Sequence, residues 1–285
     1  MPPGIDYALG AMLFFGLGDL VYKRGAAAGA EPHHFLMVQS WVFAPAIVLY
    51  AVLTGTLHFV PGSLWGALAG VFILVGFYNF AWSLKSGSIS IIAPVFRLSF
   101  VLTAALAVLV LGEPLTLAKV AGIGLALVAA WLLLGARGAD GGHDPRAARL
   151  PLVRVIVATV CVGAGNFAYA LGLRAGATPA SIIVAQAAVV VTLALAFTAC
   201  VDRRIRPSPA ALRYAPMAAI VLAFAFVCMA EAMARAQASV VVPIAQMGFV
   251  VTALLGFIVL REPFSARKGA GIVAALAALG SLAYY

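Results

Sequence analysis

Residues 88–135 read SISIIAPVFRLSFVLTAALAVLVLGEPLTLAKVAGIGLALVAAWLLLG, and the chain contains this stretch twice. The second copy, residues 237–285, reads QASVVVPIAQMGFVVTALLGFIVLREPFSARKGAGIVAALAALGSLAYY and aligns with the first without a gap. The alignment pairs Pro94 with Pro243, Phe100 with Phe249, Glu113 with Glu262, Pro114 with Pro263, Lys119 with Lys268, and Gly122 with Gly271. Each copy has two apolar runs, each long enough to cross a bilayer, joined by a short Glu-Pro turn. The duplication therefore predicts a repeated pair of membrane helices.

The composition indicates an integral membrane protein. Of the 285 residues, 65% are hydrophobic and only 9% are charged, whereas soluble domains carry roughly 25% charged residues. The net charge of +9 does not indicate nucleic acid, because excess Lys and Arg in a membrane protein usually mark its cytoplasmic loops. The three cysteines lie in apolar runs without metal spacing, so we expect them to be small core residues.

Ten apolar runs are predicted to be transmembrane helices, because a lipid-facing span must satisfy its own backbone hydrogen bonds. Their approximate bounds are 5–24, 34–53, 64–84, 89–111, 117–135, 152–173, 180–200, 213–234, 238–260 and 266–285.

A polar stretch at the midpoint divides the chain into two halves. Residues 137–150, RGADGGHDPRAARL, are rich in Gly and charge and are predicted to be a linker. It joins a first five-helix repeat, residues 1–136, to a second, residues 151–285. The front of each half also repeats, since Gly18, Tyr22, Pro32 and Gln39 align with Gly165, Tyr169, Pro179 and Gln186.

Because five is odd, the second repeat must be inverted relative to the first. The even-numbered connections carry only Lys119, Arg174 and Arg235. The odd-numbered connections carry Lys23, Arg24, Lys85, Arg137, Arg146, Arg149, Arg154, Arg203, Arg204, Arg206, Arg213, Arg261, Arg267 and Lys268. Since positive loops stay in the cytoplasm, we expect the odd connections there. Both termini would then face the periplasm of a bacterial inner membrane.

The two helix-turn-helix blocks resemble those of the ten-helix, EamA-type branch of the drug/metabolite transporter superfamily. The carrying residues are Gly112-Glu113-Pro114 with Lys119 and Gly122, and Arg261-Glu262-Pro263 with Lys268 and Gly271. The resemblance covers nearly the whole chain except the midpoint linker. It implies a carrier whose central cavity is formed mainly by the first four helices of each half, with the fifth at the periphery. Some relatives place both termini in the cytoplasm, in disagreement with the charge count, which we retain.

Arg97 is the clearest candidate for substrate binding, because an ionisable residue near the bilayer centre is expensive. It lies on one helical stripe with Ser90, Pro94, Val101 and Ala104, and the stripe in the second repeat is identical except that Gln246 replaces Arg97. A guanidinium at this depth can bind a carboxylate or phosphate in a fork. The alternative is internal pairing, for example with Asp19 or Glu231.

Asp19 and Glu231, the two carboxylates within apolar runs, are candidates for substrate binding, proton coupling or ion pairing. Asp19 aligns with Asn166 and lies one turn from Lys23, while Glu231 lies one turn before Arg235. Each carboxylate therefore has a nearby helical partner that offers a structural interpretation.

Amides and aromatics complete the predicted site. Gln39, Gln186, Gln246, Asn79 and Asn166 either bind the ligand or link helices. Aromatic rings can wall an apolar substrate or simply pack and face lipid; the candidates are Tyr78, Trp82, Phe96, Tyr22 and Tyr169.

Pro94 and Pro243 are predicted hinges, because each removes one backbone hydrogen bond at an equivalent position of the two halves. Glu113 and Glu262 are predicted to cap the helices that follow them, the fifth and the tenth. The small residues around Gly122 and Gly271 suit close helix contact, within the chain or in a homodimer.

These features favour a secondary transporter that moves a small metabolite, with the bilayer as its surroundings. The mixed polar set suits an amino acid or similar carboxylate, and the habits of the related family favour export. The alternative is an organic-cation exporter that uses Asp19 or Glu231. A channel or an intramembrane enzyme is less favoured, since the four histidines lack helical zinc spacing and no nucleophile motif occurs. No metal, cofactor or nucleic-acid partner is predicted, and no phosphate-binding Gly-rich loop is present.

Overall fold

The computed structural model describes residues 3–86, 92, 95–134, 145–203, 205–251, 254–255 and 265–283. Within those ranges the chain forms ten helices and no strand, and a short 3-10 turn, Pro61–Ser63, precedes the third helix. The helices are α1 Ile5–Ala27, α2 Pro32–Thr54, α3 Leu64–Ser86, α4 Ser99–Leu109, α5 Leu117–Leu134, α6 Pro145–Arg174, α7 Pro179–Asp202, α8 Pro209–Arg235, α9 Ala238–Gln246 and α10 Ala266–Ala283.

Seven of these helices are long and apolar enough to cross a membrane, namely α1, α2, α3, α6, α7, α8 and α10. The other three lie within shorter apolar helical segments, 95–109, 117–133 and 238–251. The predicted class, an all-α integral membrane protein with ten helices, is confirmed.

Proline sets the start of several helices. Pro32, Pro179 and Pro209 each occupy the first helical turn, where the missing N–H costs no hydrogen bond. The residue before Pro179 is Thr178, whose hydroxyl accepts from the backbone N–H of Ser181 at 3.1 Å. Such caps satisfy amide groups that the helix itself leaves unpaired.

The two halves pack mainly against each other. The most extensive helix pairs are α1 with α8, α3 with α6, and α5 with α10, followed by α3 with α7, α2 with α7 and α2 with α8. Each helix of the first half has an equivalent in the second half, so that α1 corresponds to α6, α2 to α7, and so on. When every helix is replaced by its equivalent, each of these contacting pairs becomes either itself or another pair that is also in contact. The helix arrangement therefore has a pseudo-twofold axis between the halves.

Equivalent helices run antiparallel, which shows that the halves are inverted. His33 at the start of α2 contacts Asp202 at the end of α7. At the opposite ends, the Thr178 hydroxyl before α7 donates to the carbonyl of Thr56 after α2 at 2.7 Å. Corresponding helices of the two repeats therefore cross the membrane in opposite directions, and the predicted inverted repeat is confirmed.

The fifth helix of each half packs chiefly on its counterpart. A Cβ added to Gly122 of α5 would lie 2.6 Å from the Cγ of Leu282, and one added to Gly271 of α10 would lie 2.7 Å from the Cγ of Leu133. The small residues that suited either an internal contact or a dimer are thus used inside the chain. Close approach of this kind is what glycine permits between membrane helices.

The start of α6 differs from the predicted boundary. The helix begins at Pro145, so residues 145–150 of the predicted linker are helical, and the rest of the linker lies outside the described residues. Pro at the first turn is a favourable helix start. The apolar pattern identifies only the part of this helix that crosses the membrane. The helix itself can extend beyond the lipid into a polar segment, which the pattern does not detect.

Candidate functional site

A cavity lies between the two halves where α1, α3, α6 and α8 surround the ends of α4 and α9. Its polar lining consists of Asp19, Tyr22, Arg97, Asn166 and Gln246, and its apolar lining is mainly Phe15, Phe77, Phe80, Phe96 and Phe226. The free space is about 20 Å³, enough for one water molecule. The predicted central cavity is therefore present, lined by both halves and nearly closed in this conformation.

Arg97 lies buried in this cavity and forms an ion pair with the half-buried Asp19. Only 3% of the residue is exposed, and its guanidinium pairs with the carboxylate of Asp19 on α1. The carbon of the guanidinium also lies 5.8 Å from the centre of the Phe96 ring. Of the alternatives left open by the sequence, the internal pairing of Arg97 with Asp19 is observed.

The symmetry-equivalent positions of Arg97 and Gln246 meet at the pseudo-twofold axis. The Arg97 guanidinium donates a hydrogen bond to the amide oxygen of Gln246 at 3.1 Å. Gln246 is itself 4% exposed, so this contact lies in a region without bulk water. The one polar position at which the two stripes differ is therefore a position where the two halves contact each other through a side-chain hydrogen bond.

Asn166, the repeat equivalent of Asp19, faces the same cavity. The residue is 3% exposed, and its side-chain Nδ2 has no hydrogen-bond partner in the described part of the chain. Leaving a buried donor unsatisfied costs about 1–3 kcal/mol. An unpaired donor that lines a cavity is available to a water molecule or a ligand.

Gln39 and Gln186 form matching hydrogen bonds inside each half. The Tyr22 hydroxyl donates to the amide oxygen of Gln39, and the Tyr169 hydroxyl donates to that of Gln186. Both amides line a second small cavity that shares Ile73, Phe77 and Phe226 with the central one. The helix-linking role suggested for these residues is observed, and it leaves them beside the site.

Helical hydrogen bonding is interrupted beside Arg97 and beside Gln246. Before α4, the N–H of Leu98 bonds to the carbonyl of Val95 at 3.1 Å; after α9, the N–H of Met247 bonds to that of Ile244 at 3.0 Å. Leu98 and Met247 are repeat equivalents. Irregular turns at matching depths in two halves are typical of transporter binding sites.

The predicted hinge Pro243 lies inside α9, one turn before this irregular turn. The other predicted hinge, Pro94, lies outside the described residues. The observed irregularity falls at Met247, four residues after Pro243, and at the equivalent Leu98 of the first half, so in both halves it lies next to a polar side chain of the site.

Three predicted site residues of α3, namely Tyr78, Asn79 and Trp82, do not line the central cavity and instead contact Arg154. Arg154 of α6 places its guanidinium 4.1 Å from the centre of the Trp82 ring and 6.0 Å from that of Tyr78. It also donates to the side-chain oxygen of Asn79 at 3.4 Å. These contacts hold α3 against α6, which is the packing role that the sequence left open for aromatic and amide side chains.

Glu231 also lies away from the central cavity. Its carboxylate pairs with Arg235 one turn later in α8, and it accepts a 2.7 Å hydrogen bond from the Tyr50 hydroxyl. The structural interpretation of Glu231 is therefore the one observed, and Asp19 is the carboxylate that the fold brings to Arg97.

The role predicted for Glu113 is wrong in one respect, because this residue caps α9 rather than α5. Its carboxylate accepts from the backbone N–H groups of Ala238 at 3.0 Å and Ser239 at 2.9 Å. Lys119 is buried beside it and donates to the Ser239 hydroxyl at 3.0 Å. The Glu-Pro turn of the first half thus holds a helix of the second half. In the sequence, only the alignment of Glu113 with Glu262 singled out this residue, and no local pattern indicated that it caps a helix of the other half. Glu262 lies outside the described residues.

An inverted-repeat helical membrane protein, with a polar cavity between its halves and irregular turns beside that cavity, has the architecture of a membrane carrier. A model of the EamA-like transporter family matches residues 2–135 and again residues 150–283. The chain therefore belongs to the EamA-like transporter family, in the drug/metabolite transporter superfamily, and is a multi-pass membrane transporter.

A solved structure titled "Crystal structure of protein" is similar to the chain in fold. It has a TM-score of 0.78 and 17% sequence identity, and the match covers 98% of this chain and 95% of that chain. Identity this low shows the fold alone. No curated protein sequence matches the chain.

Proposed function

We propose that this protein is a secondary transporter that exports a small zwitterionic metabolite, an amino acid, by alternating access. The observation that carries the proposal is the ion pair between the buried Arg97 and the half-buried Asp19 in the cavity between the halves. A zwitterion offers a carboxylate for the guanidinium and an ammonium for the carboxylate. It can therefore open this ion pair without leaving either charge unpartnered.

The energy of buried charges favours a zwitterion over other solutes. Removing one partner of a buried ion pair costs about 3–5 kcal/mol, because the remaining charge stays desolvated. A simple anion would satisfy Arg97 and leave Asp19 alone, and a simple cation would do the reverse. A solute with both charges replaces both partners at once, so its binding avoids that cost.

The rest of the lining suits the remainder of such a molecule. The unpaired Nδ2 of Asn166 can donate to a second carboxylate oxygen. Phe15, Phe77 and Phe226 also line the cavity and offer an apolar surface to an aliphatic or aromatic side chain.

Alternating access is supported by the small cavity and by the symmetry. About 20 Å³ does not hold an amino acid, so the halves must separate at one face before a substrate enters. Rocking one half against the other about the pseudo-twofold axis would open each face in turn. The irregular turns after Arg97 and at Met247 are where α4 and α9 can bend.

The distribution of charge supports an orientation in the membrane. Among the described residues, one face of the molecule carries Lys23, Arg24, Lys85, Arg154, Arg203, Arg206, Arg213, Arg267 and Lys268, and the other carries Lys119, Arg174 and Arg235. We infer that the first face is cytoplasmic and that both termini lie on the periplasmic side of a bacterial inner membrane.

The test uses purified protein in liposomes, screened with labelled amino acids and organic cations, with and without a pH gradient. We expect saturable amino-acid flux with counterflow, which distinguishes a carrier from a channel. Arg97→Gln makes the two halves alike at the axis and should abolish amino-acid flux. Lys85→Gln is the matched control, since Lys85 pairs with Glu31 at 2.5 Å on an exposed surface and should transport normally. Amino-acid flux that survives Arg97→Gln would refute the proposed site.

The second candidate function is organic-cation export through Asp19. It is favoured by the carboxylate of Asp19, which lies in a cavity lined by several phenylalanines, since aromatic faces attract cations. In that case Arg97→Gln would spare transport of a hydrophobic cation, while Asp19→Asn would abolish it. The same liposome screen therefore separates the two functions.

A further inference from the structure

Two histidines and an aspartate converge where the two halves meet, outside the central cavity. The Nε2 of His33 lies 3.2 Å from both carboxylate oxygens of Asp202, and the Nε2 of His34 lies 2.6 Å from one of them. The rings of His33 and His34 are 4.4 Å apart, centre to centre. One potential ligand atom from each residue lies within 4.8 Å of the others.

The ligand set matches that of a transition-metal ion. Two imidazole nitrogens and one carboxylate oxygen are the protein ligands of many catalytic zinc sites, with Zn–N and Zn–O bonds of about 2.0–2.2 Å. The histidine nitrogens lie 2.6–3.2 Å from the Asp202 oxygens, and all three ligand atoms lie within 4.8 Å of one another, so small side-chain rotations would bring them around one ion. The side chains are only 12%, 13% and 29% exposed, so the site is partly enclosed and still reachable from water.

The location gives such an ion a mechanical effect. His33 and His34 lie in the first turn of α2, and Asp202 is the last residue of α7, its equivalent in the other half. At the far ends of the same two helices, the Thr178 hydroxyl donates to the Thr56 carbonyl. An ion at the first end would hold α2 and α7 together on the face opposite that hydrogen bond.

We propose that His33, His34 and Asp202 form a binding site for one divalent transition-metal ion, Zn²⁺ in the first instance, which ties the two halves together. The sequence pattern predicted no metal, because adjacent histidines lack helical zinc spacing. The third ligand lies 168 residues from His34 and is brought there only by the inverted repeat.

Two features lower the expected affinity. A metal on Nε2 moves the ring proton of His34 to Nδ1, which is buried and has no partner in the part of the chain that the structure describes. Lack of such a partner typically costs roughly 10–100-fold in affinity. The site also lies on the more cationic face, beside Arg203. We therefore expect a reversible site rather than a permanently occupied one.

Binding is tested on the purified, metal-free full chain, titrated with Co²⁺ alone and then with Zn²⁺. We expect one equivalent of Co²⁺ to give visible absorption bands that Zn²⁺ removes. Asp202→Asn and His34→Gln keep side-chain size and should weaken Co²⁺ binding by more than about 100-fold, beyond the loss of an outer-shell partner. His58→Ala is the control, because His58 is exposed on the opposite face and should bind as the wild type does.

The titration is decisive in either direction. Equal binding by the wild type and His34→Gln, or no saturable Co²⁺ binding by a wild type that elutes as a folded species, overturns the proposed site. Elution and helix content of both variants are compared with the wild type, and Asp202→Asn provides the answer if His34→Gln does not fold. This measurement requires no substrate, so it stands if the proposed transport function fails.

The proposal that the bound ion restrains the two halves is tested by measuring transport in liposomes, and this part rests on the proposed function. Zn²⁺ should slow counterflow in the wild type, a chelator should restore it, and His34→Gln should be insensitive. Binding of Zn²⁺ without any effect on flux would show that the ion does not restrain the halves, and would overturn that part of the proposal.

Discussion

Arg97 brings a permanent charge to a depth where the second half has the neutral Gln246, and Asp19 offsets that charge. Asn166, the equivalent of Asp19, is neutral like Gln246. The charged pair therefore belongs wholly to the first half, and the matching neutral pair to the second. A site of this kind has distinct positive, negative and neutral positions, which an asymmetric substrate can use and a symmetric one cannot.

At the scale of single residues, Asp19→Asn should lower the unfolding temperature markedly. It leaves the buried guanidinium of Arg97 without a carboxylate, at a cost of about 3–5 kcal/mol. Arg97→Gln with Asp19→Asn in one chain removes both charges and reproduces the second half, so it should recover most of the loss. Thermal unfolding in detergent measures both variants.

Glu31→Gln is the control for this comparison, because its partner Lys85 is exposed and such pairs contribute about 0–1 kcal/mol. If the double variant melted lower than Asp19→Asn, the two charges would not be each other's main partners, and the interpretation of the pair would be wrong.

At the scale of helices, α1 crosses the segment just after α9 at two glycines beside the site, Gly16 and Gly248. A Cβ added to Gly16 would lie 2.4 Å from the carbonyl oxygen of Gly248, whereas one added to Gly124 of α5 would meet nothing within 4 Å. The equivalent crossing in the other half uses Gly163, whose added Cβ would lie 2.9 Å from the carbonyl oxygen of Ser99. Backbone contact therefore supports α4 and α9 next to their irregular turns.

Gly16→Ala and Gly124→Ala should change stability in opposite directions. The first forces α1 away from Gly248 in the segment after α9, and overpacking of this kind costs about 1–3 kcal/mol. The second adds a better helix former in open space and should stabilise by about 0.5–1 kcal/mol. Thermal unfolding and flux of the two variants are compared. A Gly16→Ala variant as stable and active as Gly124→Ala would show that the close crossing is not required.

Most helices could be predicted from the chain because apolar runs need only local information. The site was harder. Asp19 and Arg97 were recognised by their depth, but Glu231 has the same local pattern and lies elsewhere, paired with Arg235. Asn79 likewise resembles Asn166 in sequence, yet it contacts Arg154 rather than the cavity. Which polar side chain faces the cavity depends on the rotation of its helix about the helix axis. The sequence does not reveal that rotation, because a membrane helix is apolar on all its faces.

At the scale of the whole molecule, the inverted repeat makes the orientation testable. Alkaline phosphatase fused after residue 285 should be active, and a fluorescent protein fused there should be dark, because we infer that both termini lie outside the cytoplasm. Fusions within the connection that contains Arg203 and Arg206 should give the opposite result. The reverse pattern would contradict the charge-based orientation while leaving the inverted repeat intact.

The chain alone determined that the protein lies in a membrane, that it has ten helices in two equivalent sets, and that an odd number inverts the second set. Those properties follow from hydropathy, internal similarity and charge, all of which can be read from the sequence without knowing how the helices pack. Only the tertiary structure decided that Arg97 pairs with Asp19, that Glu113 caps α9, and that His33 and His34 meet Asp202. Each of these contacts joins helices far apart in sequence, and helix packing across the pseudo-twofold axis sets them.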